Sequence, residues 1–149
     1  MKYQNNPPNA ASLLSSLRDI GYNIETAIED LIDNSITAES TLIEIRMIWN
    51  EGEPWVAILD NGKGMSSSEL IQAMKLGSMS PLEERDKNDL GRFGLGLKTA
   101  SFSQCKQLTV LTFNKGKISA AEMDLDVVIK NSDKGFRVGI LNDDDIRSL

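Results

Sequence analysis

The stretch that decides the fold is IEDLIDNSITA, at residues 28–38. It belongs to a longer pattern, Asn23 to Ala38, in which apolar side chains recur at helical spacing. Asp30 and Asn34 are four residues apart, so they share one face of this helix near the edge of its apolar side. Glu29 falls on the far edge. An acidic and an amide side chain stacked at the border of a core suit a magnesium ion, or a carboxylate that orients a water molecule. An ordinary solvated helix face is the alternative.

A second stretch, WVAILDNGKGM at 55–65, combines a strand with a glycine-rich turn. Alternation places Asp60 on the same face as Ile58. If that face is the core, the carboxylate needs a donor, and the exocyclic amine of an adenine is such a donor. Gly62 and Gly64 would let the backbone approach a flat ligand closely. An Asn-Gly hairpin turn without a ligand explains the same letters equally well.

A third stretch, GRFGLGLKTAS at 91–101, opens a predicted helix with three glycines. Free backbone amides at a helix N-terminus form an anion site, and Lys98 and Thr99 are close by, so a phosphate chain is the natural occupant. The spacing from the glycines to Lys98 does not match a P-loop. No clear strand precedes the glycines, which argues against a dinucleotide-binding fingerprint.

The composition limits the chemistry that is available. The chain has 149 residues, 40% of them hydrophobic and 26% charged, which is typical of one globular domain. It has no histidine, which excludes histidine bases and histidine-ligated zinc, and its single cysteine, Cys105, excludes an intrachain disulfide. The net charge of −6 argues against binding nucleic acid by bulk attraction. No signal sequence or membrane-spanning run is evident, so we expect a cytoplasmic domain.

The patterns predict one domain over 1–149, with a flexible arm at 1–9 and a long polar segment at 77–92 that we interpret as a lid. Helices and hairpins segregate along the chain. This order favours an α+β two-layer sandwich with helices on one face of a mixed, mostly antiparallel sheet. The predicted helices are 10–19, 23–38, 66–76 and 95–102, and the predicted strands are 41–49, 55–60, 106–114, 117–125 and 136–141.

Taken together, IEDLIDNSITA, LDNGKGM and LGRFGLGLKTAS resemble, in this order, the N, G1 and G2 boxes of the GHKL ATPases. That superfamily holds DNA gyrase B subunits, heat-shock chaperones of the ninety-kilodalton class, histidine kinases and MutL proteins. The letters GLKTAS and the segment KLGSMS at 75–80 look most like the MORC branch and its bacterial histidine-kinase-like relatives. The resemblance implies a Bergerat-type fold with an ATP pocket under a mobile lid.

The resemblance also implies roles for individual residues. Asn34 would coordinate a magnesium ion that bridges the phosphates, and Asp60 would accept from the adenine amino group, partly through water. Met65 would pack on the base, and Lys98 and Thr99 would lie near the β- or γ-phosphate. The nucleotide-binding residues implied in this way are Asn34, Asp60, Gly62, Gly64, Met65, Gly91, Gly94, Leu95, Gly96, Lys98 and Thr99.

Two features depart from the family pattern. The general base of the family is usually a glutamate four residues before the asparagine, and here that position is Asp30. Aspartate is one methylene shorter, so we expect Asp30 to be the catalytic residue of a slow hydrolysis, or to work through a second water. No Gly-Thr box follows Phe136, so we expect the domain to be truncated at its C-terminal end.

The predicted function is therefore a magnesium-dependent ATP-binding domain that slowly hydrolyses ATP to ADP and phosphate, with nucleotide-driven lid closure and dimerisation. One alternative is a nucleotide-gated binding module with little turnover. A histidine-kinase-type catalytic domain is another, although the phosphorylated histidine would have to lie elsewhere. The expected partners are nucleotide and a second copy of the chain. We expect DNA contact only through regions outside this chain, and no membrane contact.

Overall fold

The computed structural model describes residue 4 and the ranges 9–19, 21–75 and 96–148. Within these ranges the chain forms helices, strands and two antiparallel sheets. No helix among the described residues is both long and apolar enough to cross a bilayer. The helices are α1 (Ala10–Arg18), α2 (Ile24–Thr37), α3 (Ser67–Met74), α4 (Gly96–Gln104), α5 (Leu125–Lys130) and α6 (Asp143–Arg147), and the strands are β1 (Ile43–Ile48), β2 (Trp55–Asp60), β3 (Gln107–Asn114), β4 (Lys117–Asp124) and β5 (Gly139–Ile140).

Side-chain caps fix where the long helices begin. The Asn23 side chain accepts from the backbone N–H of Thr26 at 2.8 Å, which satisfies one of the unpaired donors in the first turn of α2. α3 begins with a capping box, in which Ser66 and Glu69 bond reciprocally to each other's backbone. The Ser66 hydroxyl also donates to Glu69 Oε2, and this bond, together with the one from the Ser66 backbone N–H, lowers the pKa of the Glu69 carboxyl. The helix starts predicted at Asn23 and Ser66 are therefore confirmed.

Local turns set the strand pairs. β1 and β2 form one antiparallel hairpin, with Ile43 opposite Asp60. β3 and β4 form a second hairpin around Lys115 and Gly116, both at positive φ, and β5 adds a short antiparallel edge to β4. The predicted α+β class is confirmed, but the strands that the structure describes lie in two antiparallel sheets instead of one mixed sheet.

One face of the three-stranded sheet carries the core. Ala121 and Met123 of β4 lie on this face, and helices α1, α3, α4 and α5 contribute apolar side chains that cover it. This places helices on one side of the sheet, as the two-layer prediction requires. The buried members of the cluster are Ala10, Leu70, Met74, Phe102, Ala121, Met123, Leu125 and Val128.

The turn after β2, residues 61–65, joins the first hairpin to α2 and to the second sheet. The Asn61 side chain accepts from the backbone N–H of Leu42, just before β1, at 2.9 Å, and the N–H of Lys63 donates to the carbonyl oxygen of Ala38 at the end of α2 at 2.9 Å. The N–H of Met65 donates to Thr112 Oγ1 on β3 at 2.7 Å. This turn therefore holds a fixed position between α2 and β3.

Several sequence predictions can be compared with the structure directly. The predicted hairpins and the helices near 10–19, 23–38, 66–76 and 95–102 are all found, with ends that differ by a few residues. The last strand is shorter than expected, and α5 and α6 were not predicted. The predicted lid lies outside the described residues, and so do most of the predicted N-terminal arm and the site residues Gly91, Gly94 and Leu95.

Candidate functional site

Asp60 stands at the C-terminal end of β2 and joins the turn to α2. Its Oδ1 accepts from the backbone N–H of Gly62 at 2.8 Å, and its Oδ2 accepts from Ser35 Oγ at 3.2 Å. Ser35 is only 4% exposed. The carboxylate itself is exposed, and Val56 on the same strand face is 44% exposed, so this face is not core in the described structure. Each carboxylate oxygen is therefore oriented by a protein donor, and burial does not create a need for a ligand.

Gly62 and Gly64 let the turn approach other protein segments. A Cβ at Gly62 would come within 2.7 Å of the Ala38 Cβ at the end of α2. Gly64 has a φ of +62°, and a Cβ there would overlap the carbonyl oxygen of Phe113 on β3. Side chains at either position would displace the turn. These contacts explain the two glycines without a ligand, and a close approach to an adenine stays a prediction.

Asp30 is half-buried on α2, one turn before Asn34. Its Oδ2 accepts from the hydroxyl of Tyr22 at 2.6 Å. That hydrogen bond, together with burial and the negative charge of Asp30, raises the pKa of the Tyr22 phenol. The neighbouring Glu29 is exposed, as expected for a residue about 100° further round the helix. Asp30, and not Glu29, therefore lies beside the predicted magnesium ligand.

The Asn34 side chain is exposed, and it makes no hydrogen bond with any described residue. An amide oxygen suits magnesium, which usually takes one or two protein oxygens and completes its shell with phosphates and water. Among the described residues there is no group of three or more acidic, histidine or cysteine side chains that could hold an ion by themselves. The donor set at Asn34 therefore fits an ion that arrives with a phosphate chain.

Lys98 takes a position that the sequence did not suggest. It is fully buried in α4, and its Nζ donates to the carbonyl oxygens of Ala73 at 2.8 Å and Lys75 at 2.7 Å at the end of α3. Burial lowers the pKa of this lysine to about 8. Thr99 beside it is also buried. The described contacts of Lys98 are thus with protein carbonyls, and its predicted contact with a phosphate stays a prediction.

Met65 is half-buried and packs against the core cluster. It also lines a groove of about 630 Å³ between the start of α3 and the β3–β4 turn. Asn34 and Asp60 do not line this groove. Met65 therefore lies between the turn and the core, its contact with a nucleotide base stays a prediction, and the groove is a separate feature.

The structure thus brings together several of the predicted residues. α2 and the turn after β2 meet through the Ser35–Asp60 hydrogen bond, which brings the element carrying Asp30 and Asn34 to the turn carrying Gly62 and Gly64. Two residues with evident roles in this arrangement, Ser35 and Tyr22, were not predicted as site residues. The sequence signal for Ser35 is its place, as a small polar residue, within the apolar stripe of α2.

Comparison with known proteins matches most of the chain to one family. The model of the family described as histidine kinase-, DNA gyrase B- and HSP90-like ATPases matches residues 22–141 of the chain. The matched range contains α2, both hairpins, α3 and α4.

Individual relatives are similar over the same part of the chain. The DNA mismatch repair protein MutL of Thermosipho melanesiensis is 33% identical over 96 residues, which is 63% of this chain and 17% of that protein. The ATPase morc-1 of Caenorhabditis elegans is 28% identical over 95 residues, or 64% of the chain and 11% of that protein. ATPase MORC2B of Mus musculus is 31% identical over 96 residues, or 62% and 9%.

These matches span less than a fifth of the length of each relative, so they concern one domain of larger proteins. The family match covers most of the chain and includes all three boxes from which the resemblance was inferred. The chain therefore belongs to the family of histidine kinase-, DNA gyrase B- and HSP90-like ATPases, the GHKL ATPases.

Proposed function

We propose that this chain is a magnesium-dependent ATP-binding domain that hydrolyses ATP slowly to ADP and phosphate. The observation that carries the proposal is the junction between α2 and the turn after β2, where Ser35 and Gly62 orient the Asp60 carboxylate from both sides. A fixed carboxylate at a strand end is suited to accept from the amino group of an adenine. The family of the chain supports nucleotide as the ligand.

The residues of α2 supply the phosphate end of the site. The Asn34 amide oxygen would hold the magnesium ion, which neutralises charge on the phosphates when bound. Asp30, one helical turn away, would orient a water and accept its proton as the water oxygen attacks the γ-phosphorus. The remaining proposed contacts come from the start of α4, from Gly96 onward, and from Gly91, Gly94 and Leu95 outside the described residues.

A second candidate function is a nucleotide-gated binding module with little turnover. The observation that favours it is the identity of Asp30, whose side chain is one methylene shorter than the glutamate usual at this position of the family. In this case nucleotide binding would close the lid and create a surface for a partner, and hydrolysis of ATP would not be required.

Replacing Asp30 by asparagine separates these two functions. The Asp30→Asn chain keeps the size and shape of the side chain but loses its basicity, so turnover of ATP should fall at least about 100-fold. Binding of magnesium-ADP should be retained, because Asp60 and Asn34 are untouched. Glu29→Gln on the exposed side of α2 is the matched control and should keep wild-type turnover. Equal rates of phosphate release by the wild type and Asp30→Asn would contradict the proposed hydrolysis and favour the binding module.

Lid closure and dimerisation are the wider part of the proposal, by analogy with the family. The 77–92 segment would close over bound nucleotide, and two chains would then associate in the cytoplasm. Sedimentation velocity should show a dimer with a non-hydrolysable ATP analogue and magnesium, and a monomer without them. A monomer under both conditions would remove dimerisation from the proposal for this chain.

A further inference from the structure

Tyr22 lies outside all three boxes, two residues before α2, yet it contacts the proposed catalytic residue. Its hydroxyl donates to Asp30 Oδ2 at 2.6 Å. This length is typical of a hydroxyl that donates to an ionised carboxylate, a class of hydrogen bond stronger than a neutral one. The contact is therefore more than incidental packing.

The position of Tyr22 is fixed from two directions. Its backbone carbonyl accepts from Gln104 Nε2 at 2.7 Å, and Gln104 is the last residue of α4. On the other side the chain enters α2 through the Asn23 cap. The backbone of Tyr22 is thus tied both to α4 and to the start of the helix that carries Asp30, and the phenol reaches Asp30 from this anchored position.

This arrangement matters because Asp30 has a short side chain at the edge of a helix, where several rotamers are open to an aspartate. The Tyr22 hydrogen bond holds Oδ2. No described residue donates to Oδ1. A carboxylate held by one oxygen in this way has fewer open rotamers and keeps its other oxygen available to a water molecule.

We infer that Tyr22 is a positioning residue for ATP hydrolysis, which holds Asp30 Oδ2 so that Oδ1 accepts the proton of the attacking water. The inference rests on the proposed function. In the step itself the water oxygen bonds to the γ-phosphorus, the bond from that phosphorus to the bridging oxygen breaks, and ADP leaves. The water proton goes to Oδ1, while Tyr22 keeps its own proton throughout.

The test is Tyr22→Phe, which keeps the ring and removes only the hydroxyl. We expect kcat for ATP to fall about tenfold, because Asp30 loses the hydrogen bond that orients its carboxylate. KM and magnesium-ADP binding should be unchanged, because the proposed nucleotide contacts are not altered. In an Asp30→Asn background the same change should cost no further activity. Thr109→Val is the matched control, since it removes another hydroxyl-to-carboxylate bond, to Glu122 Oε2 at 2.9 Å on the β3–β4 hairpin. It should lower the melting temperature and leave kcat unchanged.

A second readout does not depend on turnover. In a Tyr3→Phe background Tyr22 is the only tyrosine, and its ionisation is followed by ultraviolet absorbance. Asp30→Asn should shift this ionisation to lower pH, because the partner that raises the pKa of Tyr22 is gone. An unchanged midpoint would overturn the inference.

The outcomes separate the inference from the proposed function. Wild-type turnover with an unaffected Tyr22→Phe variant overturns the role of Tyr22 and leaves hydrolysis standing. A tenfold loss that persists in the Asp30→Asn background shows that Tyr22 does not act through Asp30, and also overturns the inference. Absence of turnover in the wild type overturns the proposed hydrolysis and the positioning role with it.

Discussion

The buried position of Lys98 lowers the pKa of its side chain. Its ammonium group is buried between α4 and the C-terminal carbonyls of α3, and burial favours the neutral amine. The pKa in the folded protein is about 8, below the ordinary value of 10.5. In the pH window between these two values the unfolded chain binds more protons than the folded one. This residue therefore increases the free energy of unfolding as the pH rises.

We therefore expect the stability of the wild type relative to Lys98→Met to increase between about pH 8 and 10.5, by on the order of 3 kcal/mol over the full window. The measurement is urea unfolding of both proteins at several pH values. Cys105 and Tyr22 have raised pKa values and act in the opposite direction, but both proteins contain them, so the difference isolates Lys98. A difference that is constant with pH would contradict the burial argument.

At the level of single residues, the sequence indicates candidate site residues only where a local pattern marks them. Asp30 and Asn34 follow from helical spacing, and Asp60 from its place at the end of a strand. Ser35 could not be predicted in the same way, since it contacts Asp60, 25 positions away, and this contact depends on which distant segments meet. The contact of Tyr22 with Asp30 spans only eight residues, but Tyr22 lies before α2, where helical spacing does not relate the two.

At the scale of elements, the turn between β2 and α3 is held by Gly64. Its φ of +62° is costly for any other residue, by about 1–2 kcal/mol, and a Cβ would overlap the Phe113 carbonyl oxygen on β3. Gly116 in the β3–β4 turn has a φ of +81°, but a Cβ added there would meet no heavy atom within 4 Å. The two glycines share the backbone conformation and differ in the space around them.

Gly64→Ala should therefore destabilise the chain by at least about 2 kcal/mol more than Gly116→Ala, which carries the conformational cost alone. The extra loss comes from moving the turn away from β3, which also breaks the Met65–Thr112 hydrogen bond. Chemical denaturation of the two variants gives the comparison. Equal losses would mean that the turn is not packed against β3 in solution.

Elements with strong local signals were predicted, and short ones were not. Helix α2 has fourteen residues and an asparagine cap, and the β3–β4 hairpin has a Lys-Gly turn. Helices α5 and α6 have six and five residues, which is too short for a helical repeat to appear. The predicted strand at 117–125 includes the first residue of α5, because Asp124 is both the last residue of β4 and the N-cap of α5.

At the scale of the whole molecule, the class of fold followed from the order of elements, but the sheet arrangement did not. Pairing within a hairpin is local and was predicted, whereas pairing between hairpins depends on long-range packing. In the described structure a turn, and not a strand pair, connects the two sheets through Met65 and Thr112. The same turn carries Gly62, which donates to Asp60, so the turn that connects the two sheets also forms part of the proposed site.

Thermal unfolding with and without magnesium-ADP shows whether the junction of α2 and this turn binds nucleotide. At about 100 times the dissociation constant the wild type should gain about 2.7 kcal/mol, which corresponds to a rise of roughly 5–10 °C at this chain length. Asp60→Asn should lose this rise, and Asp126→Asn, which alters a solvent-exposed ion pair with Lys106, should keep it. A wild-type rise that Asp60→Asn retains, or no rise in the wild type, would contradict nucleotide binding at this junction.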